Sequence, residues 1–506
     1  MIDYLFDWSA ILKGIHLLMS AHWKLLFIVP LGLALGTSFG AIPGISVTLG
    51  MALILIPSLW FSPIVGIVFV SSVYTGGLYG GGITATILNI PGTAAGVPTT
   101  FDGYPMTKQG RQYEALGYGL LSSFIGTLIG WFIMFIAIKP IAGFVLLFGP
   151  AEMFMLITMA FVLIGVAGGE VLKSLLVGVL GLLIGTIGID SLAVPRGNFG
   201  ILELSDGVPF IASMVGLFAL SEVFFLASGT TIVEKGAIKE LKTPWSFLAT
   251  LPKIIWEIRK FKVTVFRSTF IGVFIGLLPA AGANIASMLS YGQAKNSSKN
   301  KDRFGKGEPE GVVASEIANN ASESGASATM LAFGIPGGTA AAILMAAMFM
   351  HGLTPGPYLL RDQMEFVYAI IISNFFQALL LIPIGCLFVA YMGRIVYIQN
   401  CYLIPTIIVL SILGGIAERG YLIDAVIVVV FGTIGYLLRK LGYPLISFIL
   451  GILLAQTLDV EFSRAFRLYG HQPQLLLERP IFLLLFFIMA FALIVFTIQN
   501  RKRIIK

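Results

Sequence analysis

GTSFGAIP (residues 36–43) and GVFIGLLP (residues 272–279) carry one spacing, Gly-x3-Gly-x2-Pro, at Gly36, Gly40 and Pro43 and again at Gly272, Gly276 and Pro279. Further along, LNIPGTAA (88–95) is answered by AFGIPGGTAA (332–341), which aligns Pro91-Gly92 with Pro336-Gly337. Gly103 and Pro105 then correspond to Gly352 and Pro355. Patterns that recur in the same order mark an internal duplication. The interval from Pro43 to Pro91 is 48 residues and that from Pro279 to Pro336 is 57, and the excess fits in one polar stretch, NSSKNKDRFGKGEPEG (296–311).

The duplication sits in a chain made for lipid. Of 506 residues, 57% are hydrophobic and only 11% charged, and 58 are glycine; mean hydropathy is +0.94. Too few charged residues remain to cover that much apolar surface in water. This excludes a cytosolic enzyme, a secreted disulfide scaffold, a disordered chain and a nucleic-acid binder. The net charge of +7 falls in loops between apolar runs, where it reports topology instead of a nucleic-acid stripe. At about 20 residues per span, half the chain in lipid makes about 11–13 spans. Cys386 and Cys401 make no disulfide framework, and the opening MIDYLFDWSA has no basic leader.

Charge orients the halves. Lys and Arg concentrate in 229–267, 294–311 and 501–506, which the positive-inside rule makes cytoplasmic, the C-terminus included. Segment 268–293 then leaves and re-enters one face, as a helix bent at Pro279-Ala-Ala-Gly282 does. The counterpart bend at Pro43 leads to SLWFSP (58–63), without Lys or Arg, on the outside. The stretch 101–114, with Asp102 and Lys108 in a solvated turn, returns inside, while its counterpart 352–363 falls outside. The fold expected is an all-α polytopic membrane protein built from inverted-topology repeats with re-entrant, broken helices. The first transmembrane repeat covers 1–228, a polar and amphipathic connector 229–262, the second repeat 263–479, and an extra span with a basic tail 480–506.

Inverted repeats with interrupted helices point to a secondary transporter whose site lies at the repeat interface near the bilayer midplane. Two segments suit it, Tyr74–Thr93 and Asn319–Thr339, both polar and glycine-rich. Irregular backbone at that depth is tolerated where protein or a wet cavity surrounds it. Pro91 and Pro336 fit the first position of a half-helix, whose free N–H groups and positive dipole end would face an anion. The expected substrate ligands are Asn89, Pro91, Gly92, Thr93, Asn319, Asn320, Ser322, Pro336, Gly337, Gly338 and Thr339. Thr75, Gly76, Gly77, Glu323 and Ser324 are candidates for a coupling ion, Na⁺ or H⁺. Gly40, Pro43, Gly44, Gly276, Pro279 and Gly282 are the expected hinges. Small residues also serve helix packing in lipid, which is the competing reading of the same glycines.

Other charges read as peripheral. Glu152, Glu170, Asp190 and Glu222 flank spans, and Arg196 stands in an outer loop. His16, His22, His351 and His471 lack metal-ligand spacing, and His351-Gly352 reads as a helix cap. No nucleophile–His pair, HExxH or P-loop is present, so neither an enzyme, a metal site nor a cofactor is expected.

The sequence resembles the large membrane subunit, TctA-type, of the tripartite tricarboxylate transporter family. GTSFGAIPG, YTGGLYGGGITATILNIPG, FDGYPMTKQGR, GLFALSEV, EGVVASEIANNA and LAFGIPGGTAAAILMAAMFMHGLTPGP carry the resemblance. It implies a permease of the bacterial inner membrane that works with a periplasmic solute-binding protein and a small four-span membrane subunit. It also implies uptake of di- or tricarboxylates driven by a cation gradient. The competing functions are another anion carrier, or a channel-like subunit without a coupled cycle. One departure bears on substrate and ion: after Asn319-Asn320-Ala321 the family usually runs through small residues, and here stands Ser322-Glu323-Ser324.

Overall fold

The computed structural model describes residues 6–42, 46–168, 171–189, 194–228, 247–279, 282–395, 400–417 and 419–504. The hinge residues Pro43 and Gly44, the flanking Glu170 and Asp190, and 229–246 of the connector lie outside the described residues.

Helices dominate, in the order α1 Trp8–Ser20, α2 His22–Ala41, α3 Val47–Ser58, α4 Pro63–Leu88, α5 Val97–Lys108, α6 Gln112–Val145, α7 Pro150–Gly168 and α8 Val171–Gly185. Then follow α9 Phe210–Ala227, α10 Leu251–Ile258, α11 Lys262–Leu277, α12 Gly282–Ser297, α13 Pro309–Phe333 and α14 Thr339–Met350. The chain ends with α15 Pro357–Asp362, α16 Met364–Ile395, α17 Asn400–Ala417, α18 Leu422–Lys440, α19 Leu445–Tyr469 and α20 Pro480–Ile504. Among the described residues α2, α4, α6, α9, α16, α18 and α19 are long and apolar enough to cross a bilayer, and six more apolar helices are shorter. Local chemistry sets several boundaries. Asp7 and Ser46 cap α1 and α3 by accepting from the N–H groups of Ala10 and Leu49. Pro63 and Pro309 open α4 and α13, where a missing N–H costs nothing.

The chain divides into two compact units, each drawing on both sequence halves: 1–141 with 222–410, and 142–221 with 411–506. In the second unit α8 packs along α19, and α7 along α19 and α20. Arg479 pairs with the buried Glu152 at the start of α7, and Arg419 holds Asp424 at 2.5 Å while donating to the carbonyls of Glu203 and Gly207. Arg196 pairs with Asp459 at 3.1 Å.

The first unit contains the duplication, and its geometry repeats contact by contact. α2 lies on α4 as α11 lies on α13. A Cβ at Gly36 would overlap the carbonyl of Val73, and one at Gly40 that of Gly77. At the matching positions, a Cβ on Gly272 would overlap the carbonyl of Ala318, and one on Gly276 that of Ser322. Gly80 and Gly325 likewise sit against the carbonyls of Thr37 and Val273. Such close backbone approach is how helices associate in lipid, where no hydrophobic drive exists between them.

The expected breaks lie at the far ends of the two segments. α4 runs unbroken through Thr75-Gly76-Gly77 to Leu88, and α13 runs unbroken through Asn319–Ser324 to Phe333. Glycines 76–82 and Gly325 are packing positions, not interruptions, because close approach needs a missing side chain and leaves helical hydrogen bonds intact. The chain leaves each helix at a left-handed residue, Asn89 (φ 59°, ψ 23°) and Gly334 (φ 69°, ψ 22°), which occupy matching places in the repeat. It then doubles back. The N–H of Gly92 donates to Gly81 O (3.2 Å) and that of Gly337 to Ala326 O (3.4 Å). Each residue reached lies seven positions before its helix end, so the Pro-Gly turns return about 10 Å along their own helices. From there α5 and α14 lead out again. The re-entrant elements are therefore an extended strand of chain followed by a short helix. Pro91 and Pro336 lie within the extended part and not at N1, which Val97 and Thr339 occupy. The break expected near Pro279 is present, since α11 ends at Leu277 and α12 begins at Gly282.

Contacts between the loops give the relative sense of the halves. Stretch 101–111 meets 303–311, and Ser58 meets His351 (3.4 Å). By the repeat, 58–63 corresponds to 294–311 and 101–114 to 352–363. Each loop of the first half thus meets the counterpart of the other loop in that half, the pairing that an inverted repeat gives and a parallel one does not.

Candidate functional site

α4 and α13 cross near their middles, and the crossing is polar. Thr75 Oγ1 lies 2.8 Å from Glu323 Oε1, 2.9 Å from Gln377 Oε1 and 3.5 Å from Asn374 Oδ1. Asn319 Nδ2 donates to Leu78 O (3.1 Å), tying the two helices directly. Asn320 Nδ2 donates to Ser123 Oγ on α6 (2.8 Å) and to Glu316 O (3.0 Å). All these side chains are buried, and Thr75, Glu316, Glu323, Asn319 and Asn320 are wholly so. Glu323 therefore stands mid-helix, enclosed by protein.

A second carboxylate lies two turns away on the same helix. Glu316 accepts from Thr99 Oγ1 (2.6 Å) and Ser123 Oγ (3.4 Å), and it rests against Gly82, where a Cβ would overlap its carboxylate. Several polar atoms in this core are buried without a hydrogen-bond partner: Asn319 Oδ1, Asn320 Oδ1, Glu323 Oε2, Thr84 Oγ1, Thr93 Oγ1, Tyr79 OH and Ser327 Oγ. Protein interiors leave few such groups, and here they gather around the crossing of α4 and α13.

The folded-back segments supply the rest. Thr339 opens α14 behind Gly338, both part-exposed, and Thr93 stands just ahead of the helical turn Ala94–Gly96 that leads into α5. Helix starts at that depth present N–H groups without intrahelical partners. Pro336 and Gly337 are buried, Gly92 is packed on Gly40, and Asn89 is exposed. Gly282 approaches the second turn, where a Cβ would lie 3.8 Å from Gly337 O. Among the described residues no Lys or Arg is buried.

Other expected ligands have structural roles. Ser322 and Ser324 turn their hydroxyls back to Asn319 O (2.7 Å) and Ala321 O (2.8 Å) of their own helix. Gly76 and Gly77 pack on Leu33 and Val47. Sequence reading missed Glu316, Thr99, Ser123, Ser71, Asn374 and Gln377. Two amides one turn apart in the apolar α16 were the available signal, since polar groups inside a span are costly and seldom idle. Glu316 stands in EGVVASEIANNA, a stretch that the sequence reading used only for the family resemblance.

Asp102 is the clearest correction at the periphery. It is wholly buried, and Oδ1 accepts from the N–H groups of Gly305 (2.8 Å), Gly307 (2.9 Å) and Glu308 (2.9 Å), while Oδ2 accepts from Tyr291 Oη (2.9 Å). A solvated turn was expected because the residue neighbours Lys108, which is exposed; the loop from the other half covers it instead. Beside it, burial raises the Glu308 carboxyl above its ordinary range, opposed by Arg303. His351 does cap α14, its N–H donating to Ala347 O (3.1 Å).

A doubled, wholly helical core with re-entrant segments and a buried polar crossing defines a multi-pass membrane transport protein. The sequence comparisons agree: residues 26–450 match the tripartite tricarboxylate transporter TctA family. The chain belongs to that family, as the large membrane subunit of a three-component transporter. It is 33% identical over 452 residues, 89% of this chain and 88% of the relative, to an uncharacterised 52.8 kDa protein of the TAR-I ttuC′ 3′ region of Agrobacterium vitis. A second protein, of the TAR-II ttuC′ 3′ region of the same organism, is 30% identical over 210 residues, 42% of this chain and 87% of that protein. No solved structure matches.

Proposed function

We propose that this subunit imports di- or tricarboxylates across the bacterial inner membrane, coupled to a cation gradient. In this reading the substrate comes from a periplasmic solute-binding protein, and a small four-span subunit completes the membrane part. The observation that supports it is the pair of folded-back segments, which carry two helix starts into a core with no buried Lys or Arg among the described residues. A polyanion there is met by backbone N–H groups, Thr93, Thr339 and Asn89, which bind without bringing fixed positive charge into lipid. Uniform binding by N–H groups also suits a carrier, which must release what it holds. The sequence halves 1–228 and 263–479 act as the two repeats, with 229–262 as the cytoplasmic link.

The test is uptake of labelled carboxylates in cells that co-express the two partner proteins. Saturable uptake is expected, abolished without the binding protein and by collapse of both the Na⁺ and H⁺ gradients. Asn320→Ala and Asn89→Ala should reduce it at normal membrane expression. Uptake indifferent to both gradients would overturn cation coupling, and full activity in both variants would move the site elsewhere.

A further inference from the structure

A cavity of about 630 Å³ opens at the Lys- and Arg-rich face, between α6, α10 and the loop 303–309. Arg111, Lys253, Lys260, Arg303 and Lys306 all line it. The carboxylates there do not balance them. Arg111 and Lys253 share one, Glu114, at 2.8 Å and 3.0 Å. Glu257 is engaged by the hydroxyl of Tyr118. Glu308 is buried, and burial raises its carboxyl above the ordinary range, which lessens the negative charge it sets against Arg303. Lys260, Arg303 and Lys306 make no ion pair among the described residues. Contacts behind the cations fix their backbone. On one side Ile254 of α10 packs into the space over Gly117 of α6, which leaves Lys253, Glu257 and Lys260, spaced one turn apart, along the cavity. On the other side Asp102 Oδ1 accepts from the N–H groups of Gly305, Gly307 and Glu308, and Gln109 Nε2 donates to Lys306 O at 2.7 Å. Like charges held round one cavity on anchored backbone repel one another, and a bound anion removes the repulsion.

We infer that this cavity is a binding site for a phosphate-bearing anion. A phosphate offers several oxygens at once to ammonium and guanidinium donors, and its charge matches the surplus. The surroundings favour a membrane source, the headgroup of an acidic phospholipid. Ile255 and Trp256 are exposed on α10, and the Arg259 guanidinium lies 5.2 Å from the Trp256 ring centroid. Val263, Phe266 and Phe270 continue the exposed apolar face along α11. An exposed Trp at the head of such a face marks the headgroup level of a bilayer, and basic pockets at that level hold lipid phosphates. The occupant bridges α6 of the first half, the connector helix α10 and a loop of the second half, so its binding ties the halves together at this face. The binding does not depend on what the protein transports.

The test titrates the full-length chain, purified in detergent, with phosphatidylglycerol, phosphatidylcholine or pyrophosphate, and reads bound lipid by native mass spectrometry and the melting temperature with each. Retention of phosphatidylglycerol in preference to phosphatidylcholine is expected. Lys260→Gln and Lys306→Gln should each weaken its binding about fivefold, and the two together about twentyfold, while Lys306→Arg keeps the parent affinity. Lys299→Gln, which removes an exposed cation outside the cavity, should bind as the parent chain does. Monodisperse elution of each variant excludes unfolding as the cause. Stabilisation by pyrophosphate without any lipid preference, lost in the double variant, would uphold the phosphate site and overturn its membrane source. No preference for phosphatidylglycerol together with no effect of pyrophosphate would overturn the site. Equal weakening by Lys299→Gln would do so too, since diffuse surface charge would then account for the binding. Stabilisation by citrate through the same lysines, with none by either phosphate compound, would overturn the phosphate assignment.

Discussion

α4 and α13 hold equivalent places in the two halves and meet their partner helices through equivalent glycines, yet their chemistry differs. α4 carries no charge along its length, whereas α13 carries Glu316 and Glu323, both wholly buried. By the repeat, Ser71 and Thr75 correspond to Glu316 and Asn320. One half contributes hydroxyls and the other carboxylate and amide to what is geometrically the same position. The backbone arrangement is thus fixed by where side chains are absent, and the polar crossing by a few places where polar ones are present. Duplication supplied the scaffold twice, and the two copies specialised side chain by side chain.

The sharpest way to break that comparison is to place a side chain at the shared glycines. Gly40→Leu and Gly276→Leu each drive a side chain into a facing backbone carbonyl, of Gly77 and Ser322, and each should cost about 3 kcal/mol or more. The measurement is the yield of monodisperse protein from membranes. Similar losses at both sites support equivalence, and a loss at only one would end it; Gly119→Ala, with open space around it, should be silent. Next in size is the junction at one face. Asp102→Asn weakens three backbone bonds to a carboxylate and should lower stability by about 2 kcal/mol, read as a drop in melting temperature. Its counterpart at the other face, the neutral contact of His351 with Ser58, is weaker. His351→Gln should cost about 1 kcal/mol or less, and a larger loss there than at Asp102 would reverse the ranking of the two faces.

The smallest effect is a pH dependence. Burial raises the carboxyl of Glu308, which lies outside the spans, when the chain folds. Ionisation then costs the folded state more than the unfolded one. The penalty is absent below the ordinary carboxylate value and grows to its full size as pH rises through the raised folded value. Glu308→Gln should therefore flatten melting temperature against pH in that window and leave the acid side unchanged. An unaltered profile would show that the group does not titrate between the two states.

Much of this was legible from local chemistry. Gly36/Gly40/Pro43 and Pro91-Gly92 announced the repeat, Lys and Arg gave two faces that the loop contacts respect, and His351-Gly352 marked a helix end. The role of the glycines at 76–82 stayed open because glycine has two uses in lipid, breaking a helix and letting another approach, and a lone sequence does not separate them. Asp102 was misjudged for want of its partners, which lie 189 to 206 residues away.

Composition and spacing by themselves determined that this is a membrane protein, that it is doubled, and where each half turns, because those features depend on solvent and on residues a few positions apart. Only the tertiary structure decided which polar groups meet. Thr75, Glu323, Asn374 and Gln377 come from three helices scattered over the chain, and the oxygen-rich cluster they make exists only once those helices are packed.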